Sequence, residues 1–139
     1  MTVVVGYVPN QYGEAAIDAG VQEARRRGAR LVVVNTSRGD ALVDPRFASR
    51  SALDALDSRL AGVEHEVRQS VGADVADQVL DVVRDVDAEL LVIGLRQRTP
   101  VGKMLMGSVA QRLLIEAPCP VLAVKPARMA ATHPGRDLR

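Results

Sequence analysis

Aromatic residues are nearly missing: Tyr7, Tyr12 and Phe47 are the whole set, and tryptophan is absent. A stacking platform for single-stranded nucleic acid or for sugars needs several exposed rings, so such functions are disfavoured. Cysteine is reduced to Cys119, which leaves no internal disulfide and no thiolate metal cage. It sits between Pro118 and Pro120 with no basic neighbour to lower its pKa, and reads as a buried, unreactive thiol. Net charge is also lacking. Eighteen Lys+Arg against seventeen Asp+Glu leave +1, far from the basic excess of a dedicated nucleic-acid binder. No apolar run approaches the ~20 residues that span a bilayer, and Met1-Thr2-Val3-Val4-Val5-Gly6 shows no basic n-region. The expectation is a cytoplasmic protein with neither membrane nor nucleic acid as partner.

What is present is a core. Apolar types make up 47% of 139 residues, enough for one domain and no more. Thr2-Val3-Val4-Val5, closed by Gly6, is β-branched and free of charge, as in a strand covered on both faces. Pro9, Asn10 and Gly13 mark a loop, and a helical period runs from about Glu14 to Arg27. Arg25-Arg26-Arg27 and Gly28 suit the end of that helix, where cations meet the negative dipole end. Leu31-Val32-Val33-Val34 repeats the buried-strand pattern, followed by a polar loop from about Ser37 to Pro45. Phe47, Leu53, Leu56 and Leu60 then outline a second helix, and the mixed, charged stretch Val63 to Arg68 reads as an edge strand. Gly72-Ala73-Asp74 opens a third helix through Val75, Val79, Leu80, Val83 and Val86. Leu90 to Gly94 is a strand, Ser108 to Ala117 a fourth helix and Val121 to Val124 a last strand.

Alternating strands and helices dictate parallel pairing with right-handed crossovers. The expected fold is α/β: a single doubly wound, five-stranded parallel sheet of order 3-2-1-4-5, with helices on both faces. Residues 1–127 form the domain and 128–139 a loose tail. A sheet of that order reverses its winding between the first and fourth strands, and ligands bind beyond the strand ends at such a reversal. Both of those strands end near glycine, Gly6 and Gly94, where a backbone can approach a bound group or simply turn tightly.

Charge supports the ligand reading. From Leu90 to Ile115 there is no Asp or Glu, while Arg96, Arg98, Lys103 and Arg112 give +4, leaving −3 on the rest of the chain. Such segregation in a near-neutral protein points to an anion site. The start of the fourth helix at Gly107-Ser108 adds free N–H groups and a positive dipole end. The plainer reading makes Ser108 an ordinary N-cap and the cations a solvated loop. A P-loop is excluded because Gly102-Lys103 is followed by Met104, and no G-x-G-x-x-G follows the first strand.

On these residues the sequence resembles the universal stress protein family. Nucleotide-binding members carry G-x2-G-x9-G-(S/T) before the last helix. Here Gly94, then Gln97 in place of the second glycine, nine residues from Arg98 to Met106, and Gly107-Ser108 follow that spacing. Ala117 to Lys125 and Val3 to Tyr7 resemble the family's last and first strands, and the likeness covers roughly residues 2–126. The resemblance implies a Rossmann-like, adenine-nucleotide-hydrolase-like fold and a homodimer through the last strand. In some members it also implies ATP or AMP, with or without magnesium, in the crevice between strands 1 and 4. Carried over by position, it implies contacts at Gly6, Val8, Pro9, Thr36, Gly94, Arg96, Gln97, Gly107, Ser108 and Val109, with Arg98 and Lys103 supplying further charge. Two departures stand out: Gln97, and Val8-Pro9-Asn10 where the family has a V-D-x-S turn.

No nucleophile–base pair suggests itself. His65 lies on the charged edge strand and His133 in the tail, away from the crevice. A turnover enzyme is therefore not expected, beyond slow hydrolysis of bound ATP. The expectation is a stress-response regulator that binds an adenine nucleotide. The alternative is a dimeric interaction module that has lost it. Dimerisation also follows from the sheet edges: Glu64, Glu66 and Arg68 guard one, whereas Val121-Leu122-Ala123-Val124 is bare and invites a second copy unless the tail covers it.

Overall fold

A computed structural model describes residues 1–37, 48–95 and 106–126. Five parallel strands lie in the order β3-β2-β1-β4-β5. They are β1 (Thr2–Tyr7), β2 (Arg30–Ser37), β3 (His65–Val71), β4 (Leu90–Gly94) and β5 (Val121–Val124). The helices are α1 (Gln11–Arg27), α2 (Arg50–Arg59), α3 (Val75–Asp85) and α4 (Ser108–Glu116). The expected order of strands and the reversal between β1 and β4 are both observed.

The charge-free runs occupy the centre because nothing in them needs water. Val3, Val5, Leu31, Val33, Leu90 and Val92 face one side, against Ala16 and Ile17 of α1 and Leu56 of α2. Val4, Val32, Val34, Leu91 and Ile93 face the other, against Val79, Leu80 and Val83 of α3 and Leu113 of α4. Each such side chain fully removed from water contributes about 1.5–3 kcal/mol before conformational entropy is counted. Sheet and covering helices form one three-layer domain.

Three boundaries differ from the expectation. The first helix starts at Gln11, not near Glu14, because Asn10 is its N-cap: its Oδ1 accepts from Tyr12 N–H at 2.9 Å and Gly13 N–H at 3.1 Å. Gly13, read as loop, is a buried residue of the first turn. The second strand runs on through buried Asn35, Thr36 and Ser37, so the loop begins later than Ser37. The charged edge strand is His65–Val71 instead of Val63–Arg68. Val63 still belongs to the turn after α2, its N–H donating to Leu60 O at 2.9 Å, and pairing with β2 starts where Leu31 N–H reaches Glu64 O. At the other end of α1, Gly28 takes φ +62° and caps the helix after three arginines, as expected. Phe47 and the tail from 128 onward lie outside the described residues.

The two sheet edges differ as the sequence suggests. Along β3, Arg68 pairs with Glu66 at 2.6 Å and Asp85 at 2.9 Å, which keeps that edge charged and solvated. Along β5, Leu122 is exposed and its neighbours half-buried, with no charge on the strand. Cys119, just before it, is half-buried, and burial pushes its thiol pKa up, which keeps it protonated and slow to react.

His65 opens β3 at the N-terminal edge of the sheet, the end opposite the crevice. Nδ1 lies 2.8 Å from Val63 O and Nε2 2.9 Å from Asp57 Oδ1, so the doubly protonated ring can donate to both. Burial lowers its pKa, but the hydrogen bonds to the Val63 carbonyl and to Asp57 outweigh this, and the net shift is upward from 6.5. A raised folded-state value means the stabilisation is complete below the unfolded pKa and fades as pH rises through the folded one. NMR titration should place the imidazole above 6.5, and His65→Gln should flatten the loss of stability between mildly acid and alkaline solution. A titration at or below 6.5 contradicts this.

Candidate functional site

The C-terminal ends of β1, β2 and β4 lie side by side, with Gly6 beside Val34, Tyr7 beside Asn35, and Val5 beside Val92 two residues before Gly94. Because α1 and α4 each leave from such an end, their N-termini share this edge of the sheet, one on each face. Of the residues expected in the site, Gly6, Val8, Pro9, Thr36, Gly94, Gly107, Ser108 and Val109 are described. Arg96, Gln97, Arg98 and Lys103 lie outside the described residues.

The two glycines at the strand ends have different causes. Gly6 lies inside β1 with ordinary room: a methyl there would sit 3.6 Å from Ile93 Cγ2. Gly94 has none. A Cβ would run into the Tyr12 carbonyl oxygen, with the carbonyl carbon 2.7 Å away. The close backbone approach that Gly94 permits is therefore to the first turn of α1. Gly13 matches it from the other side, a Cβ there colliding with the Val8 carbonyl. Together they seat the start of α1 across the β1–β4 boundary.

The helix starts that follow β1 and β4, on either side of the reversal, are electrostatically unlike. On α1, Asn10 occupies the first N–H groups, and Glu14 brings negative charge into the first turn. On α4 the N-cap is Gly107, with φ −67° and ψ 162° and no side chain to accept a bond, and the first turn carries no acid. Ser108 is thus the first helical residue and not the N-cap of the plainer reading. Gly107 and Ser108 are exposed, and Val109 is half-buried. Among the described residues, the α4 start is the one of the two left open to an anion.

The fourth cation of the acid-free stretch does not belong to this mouth. Arg112 reaches Asp74 at 3.0 Å, Asp77 at 2.7 Å and Glu116 at 3.1 Å. The Asp77 N–H and the guanidinium hold the Asp74 carboxyl below its usual range. A segment without acids in the linear sequence is supplied with them across space, so only three of its four cations remain candidates for the mouth.

Sequence reasoning missed Asn35. Wholly buried at the end of β2, it donates from Nδ2 to Tyr7 O at 2.9 Å. Its Oδ1 accepts from Ala48 N–H at 2.8 Å and Gln69 Nε2 at 2.9 Å. It ties the ends of β1, β2 and β3 to the chain re-entering before α2. The one available signal was a polar residue directly after an apolar run. Asn35→Ala leaves the Tyr7 carbonyl and the Ala48 N–H without this partner, and should cost about 2 kcal/mol in urea unfolding. A loss within 0.5 kcal/mol, roughly a surface-substitution effect, contradicts that role.

Tyr7 was also missed. Its ring continues the inward alternation of Val3 and Val5, and it is buried. The hydroxyl donates to Glu14 Oε2 at 3.2 Å, and burial, with Glu14 beside it, raises the phenol pKa. Arg59 of α2 pairs with Glu14 and with Asp18, the latter at 3.2 Å. Below this bridge lies a cleft of about 260 Å³ between Pro9 and Asn10 on one side and Ala52, Ala55 and Leu56 on the other. It backs onto the turn from β1 to α1. Among the described residues no cluster of His, Cys, Asp and Glu could hold a metal, and no helix is long and apolar enough to cross a membrane.

An open parallel sheet with its reversal between β1 and β4, and an uncapped helix start beside that reversal, defines a class: doubly wound α/β domains whose ligand crevice lies at the switch point. Within it, the profile of the universal stress protein family matches residues 1–125. The chain belongs to the universal stress protein family. A universal stress protein of Mycolicibacterium smegmatis is 52% identical over 126 residues, covering 89% of this chain and 97% of that one. A universal stress protein structure from Archaeoglobus fulgidus superposes with a TM-score of 0.74 at 30% identity, over 90% of this chain and 98% of that one. Another from the same organism, in complex with dAMP, gives 0.66 at 27% identity with the same coverage.

Proposed function

We propose that this chain is a regulatory protein that binds an adenine nucleotide, ATP or AMP, in the crevice between β1 and β4. The observation that carries the reading is the open start of α4: a glycine N-cap with no side-chain bond and no acid in the first turn. A phosphate there takes the N–H groups of Ser108 and Val109 and the positive end of the helix dipole. The adenosine lies along the ends of β1 and β2, by Gly6, Val8, Pro9 and Thr36, with Gly94 at the end of β4 and Gln97 beyond it. Arg96, Arg98 and Lys103 add charge. Binding acts by shifting the population of that loop, not by turnover. The dAMP held by the Archaeoglobus fulgidus relative supports an adenine nucleotide as the ligand class. Isothermal titration of folded protein with ATP and AMP tests this: saturable heat is expected, and none at millimolar ligand defeats the reading.

The protein acts as a homodimer through Val121, Leu122, Ala123 and Val124. The uncharged β5 edge supports this, as do exposed Leu122 and, on neighbouring α4, Ile115 at 81% exposure. Sedimentation should give a dimer at tens of micromolar, roughly the range where weak edge pairing already shows. A monomer there contradicts it.

One observation favours the second reading, a dimeric interaction module without nucleotide. The turn Val8-Pro9-Asn10 lacks the family aspartate, and Asn10 Oδ1 is already committed to two α1 amides. Acid release from purified protein separates the readings: adenine absorbance favours the binder. Its absence, with a flat titration, favours the module.

A further inference from the structure

We infer that Arg112 is a positioning residue for the anion end of the crevice: clamped by α3, it sets the height and rotation of α4 and so aims the open Gly107-Ser108 helix start at the phosphate. The inference rests on the nucleotide reading above. All five guanidinium donors are in use. Nε donates to Glu116 Oε2 at 3.1 Å, Nη1 to both Asp74 oxygens at 3.0 Å, and Nη2 to Asp77 Oδ1 at 2.7 Å and Glu116 Oε1 at 3.1 Å. No donor is left over for a ligand, so Arg112 can act on binding only by holding α4 or as a charge at a distance.

Within a single chain the helix has little else to hold it. It has nine residues and one fully packed apolar side chain, Leu113, with Val109 and Ala110 only partly buried. A stripe that narrow resists neither rotation nor sliding along the sheet well. Arg112 sits one turn after Ser108, on the same side of the helix, close to the end that matters. Its anchor is itself fixed: Asp74 is the N-cap of α3 and accepts from Asp77 N–H at 3.0 Å. A planar fork gripped by two elements fixes orientation where a point charge would not.

The test compares AMP with adenosine on the full chain by titration calorimetry, because only AMP uses the α4 start. In Arg112→Gln the preference for AMP over adenosine should fall roughly tenfold, since hydrogen-bonded sites lose strongly on small misplacements. Adenosine affinity should stay within about twofold, because its contacts lie at β1 and β2. Arg112→Lys should resemble Arg112→Gln, because one ammonium cannot hold three carboxylates in a plane. Asp77→Asn settles sign. Removing a negative charge tightens AMP if Arg112 acts only as a charge, and weakens AMP if it acts by holding the helix. A full AMP preference in Arg112→Gln, or tighter AMP in Asp77→Asn, overturns the positioning role while leaving the nucleotide site standing. A wild-type protein that does not prefer AMP to adenosine overturns both.

Discussion

Gly13→Ala is expected to destabilise the protein by about 3 kcal/mol or more, at the upper end of overpacking costs. For a domain of this size that lowers the thermal midpoint by roughly 10 °C. The size of the effect is set against the usual sign. Inside an ordinary helix, alanine is better than glycine by about 1 kcal/mol. Here the new methyl would overlap the Val8 carbonyl oxygen, with Val8 N and C both 2.7 Å away. These are backbone atoms of the turn leaving β1, and no rotamer change moves them. Relief requires lifting the first turn of α1, and the same turn carries the Asn10 cap and the Tyr12 carbonyl that rests on Gly94. Gly6→Ala is the control, because its nearest neighbour is a methyl at 3.6 Å. It should change stability by less than ~1 kcal/mol, as an ordinary contact does. Equal, small losses for both in urea unfolding contradict the seating of α1 across the β1–β4 boundary.

That seating explains which parts of the molecule could be read from its sequence. Val3 to Val5, Leu31 to Val34 and Leu90 to Ile93 are charge-free and β-branched or leucine-rich, as strands covered on both faces are, and they form the centre of the sheet. Asn10 and Gly13 were misread because the same residue types end helices, begin them and form loops. What decides among these is the path of the turn out of β1, which lays the Val8 carbonyl against Gly13. The charged edge strand was displaced for a related reason: His65 to Val71 shows no apolar run, and its start is set by pairing with Leu31. At the site, the glycine and serine at the start of α4 were legible because helix starts obey local rules. The fate of Arg112 was not. Its partners Asp74 and Asp77 lie more than thirty residues earlier and meet it only because α3 and α4 cover the same face. Charge counted along a chain reports potential only where the fold keeps opposite charge away.

Gly107→Asp is expected to separate fold from function by moving them in opposite directions. As N-cap of α4, Gly107 contributes no side-chain bond, and among the described residues a Cβ placed on it meets nothing within 4 Å. Aspartate is among the best N-cap residues, exceeding glycine by a few tenths of a kcal/mol. Thermal stability should therefore hold or rise slightly, and the proposed pairing through β5, which does not involve Gly107, should be unchanged. Nucleotide affinity should fall roughly a hundredfold or more. The new carboxylate takes the N–H groups a phosphate would use and sets a negative charge within a few ångströms of another, worth several kcal/mol at the effective dielectric of a protein surface. Gly107→Ala divides the two causes: it adds bulk without charge or acceptor, so it should cost little affinity. Adenosine provides the internal reference, since it carries no phosphate to be repelled and should bind wild type and Gly107→Asp alike. If Gly107→Asp binds AMP as wild type does, while remaining folded and dimeric, the phosphate does not sit at the start of α4, and the crevice must hold its ligand by other groups.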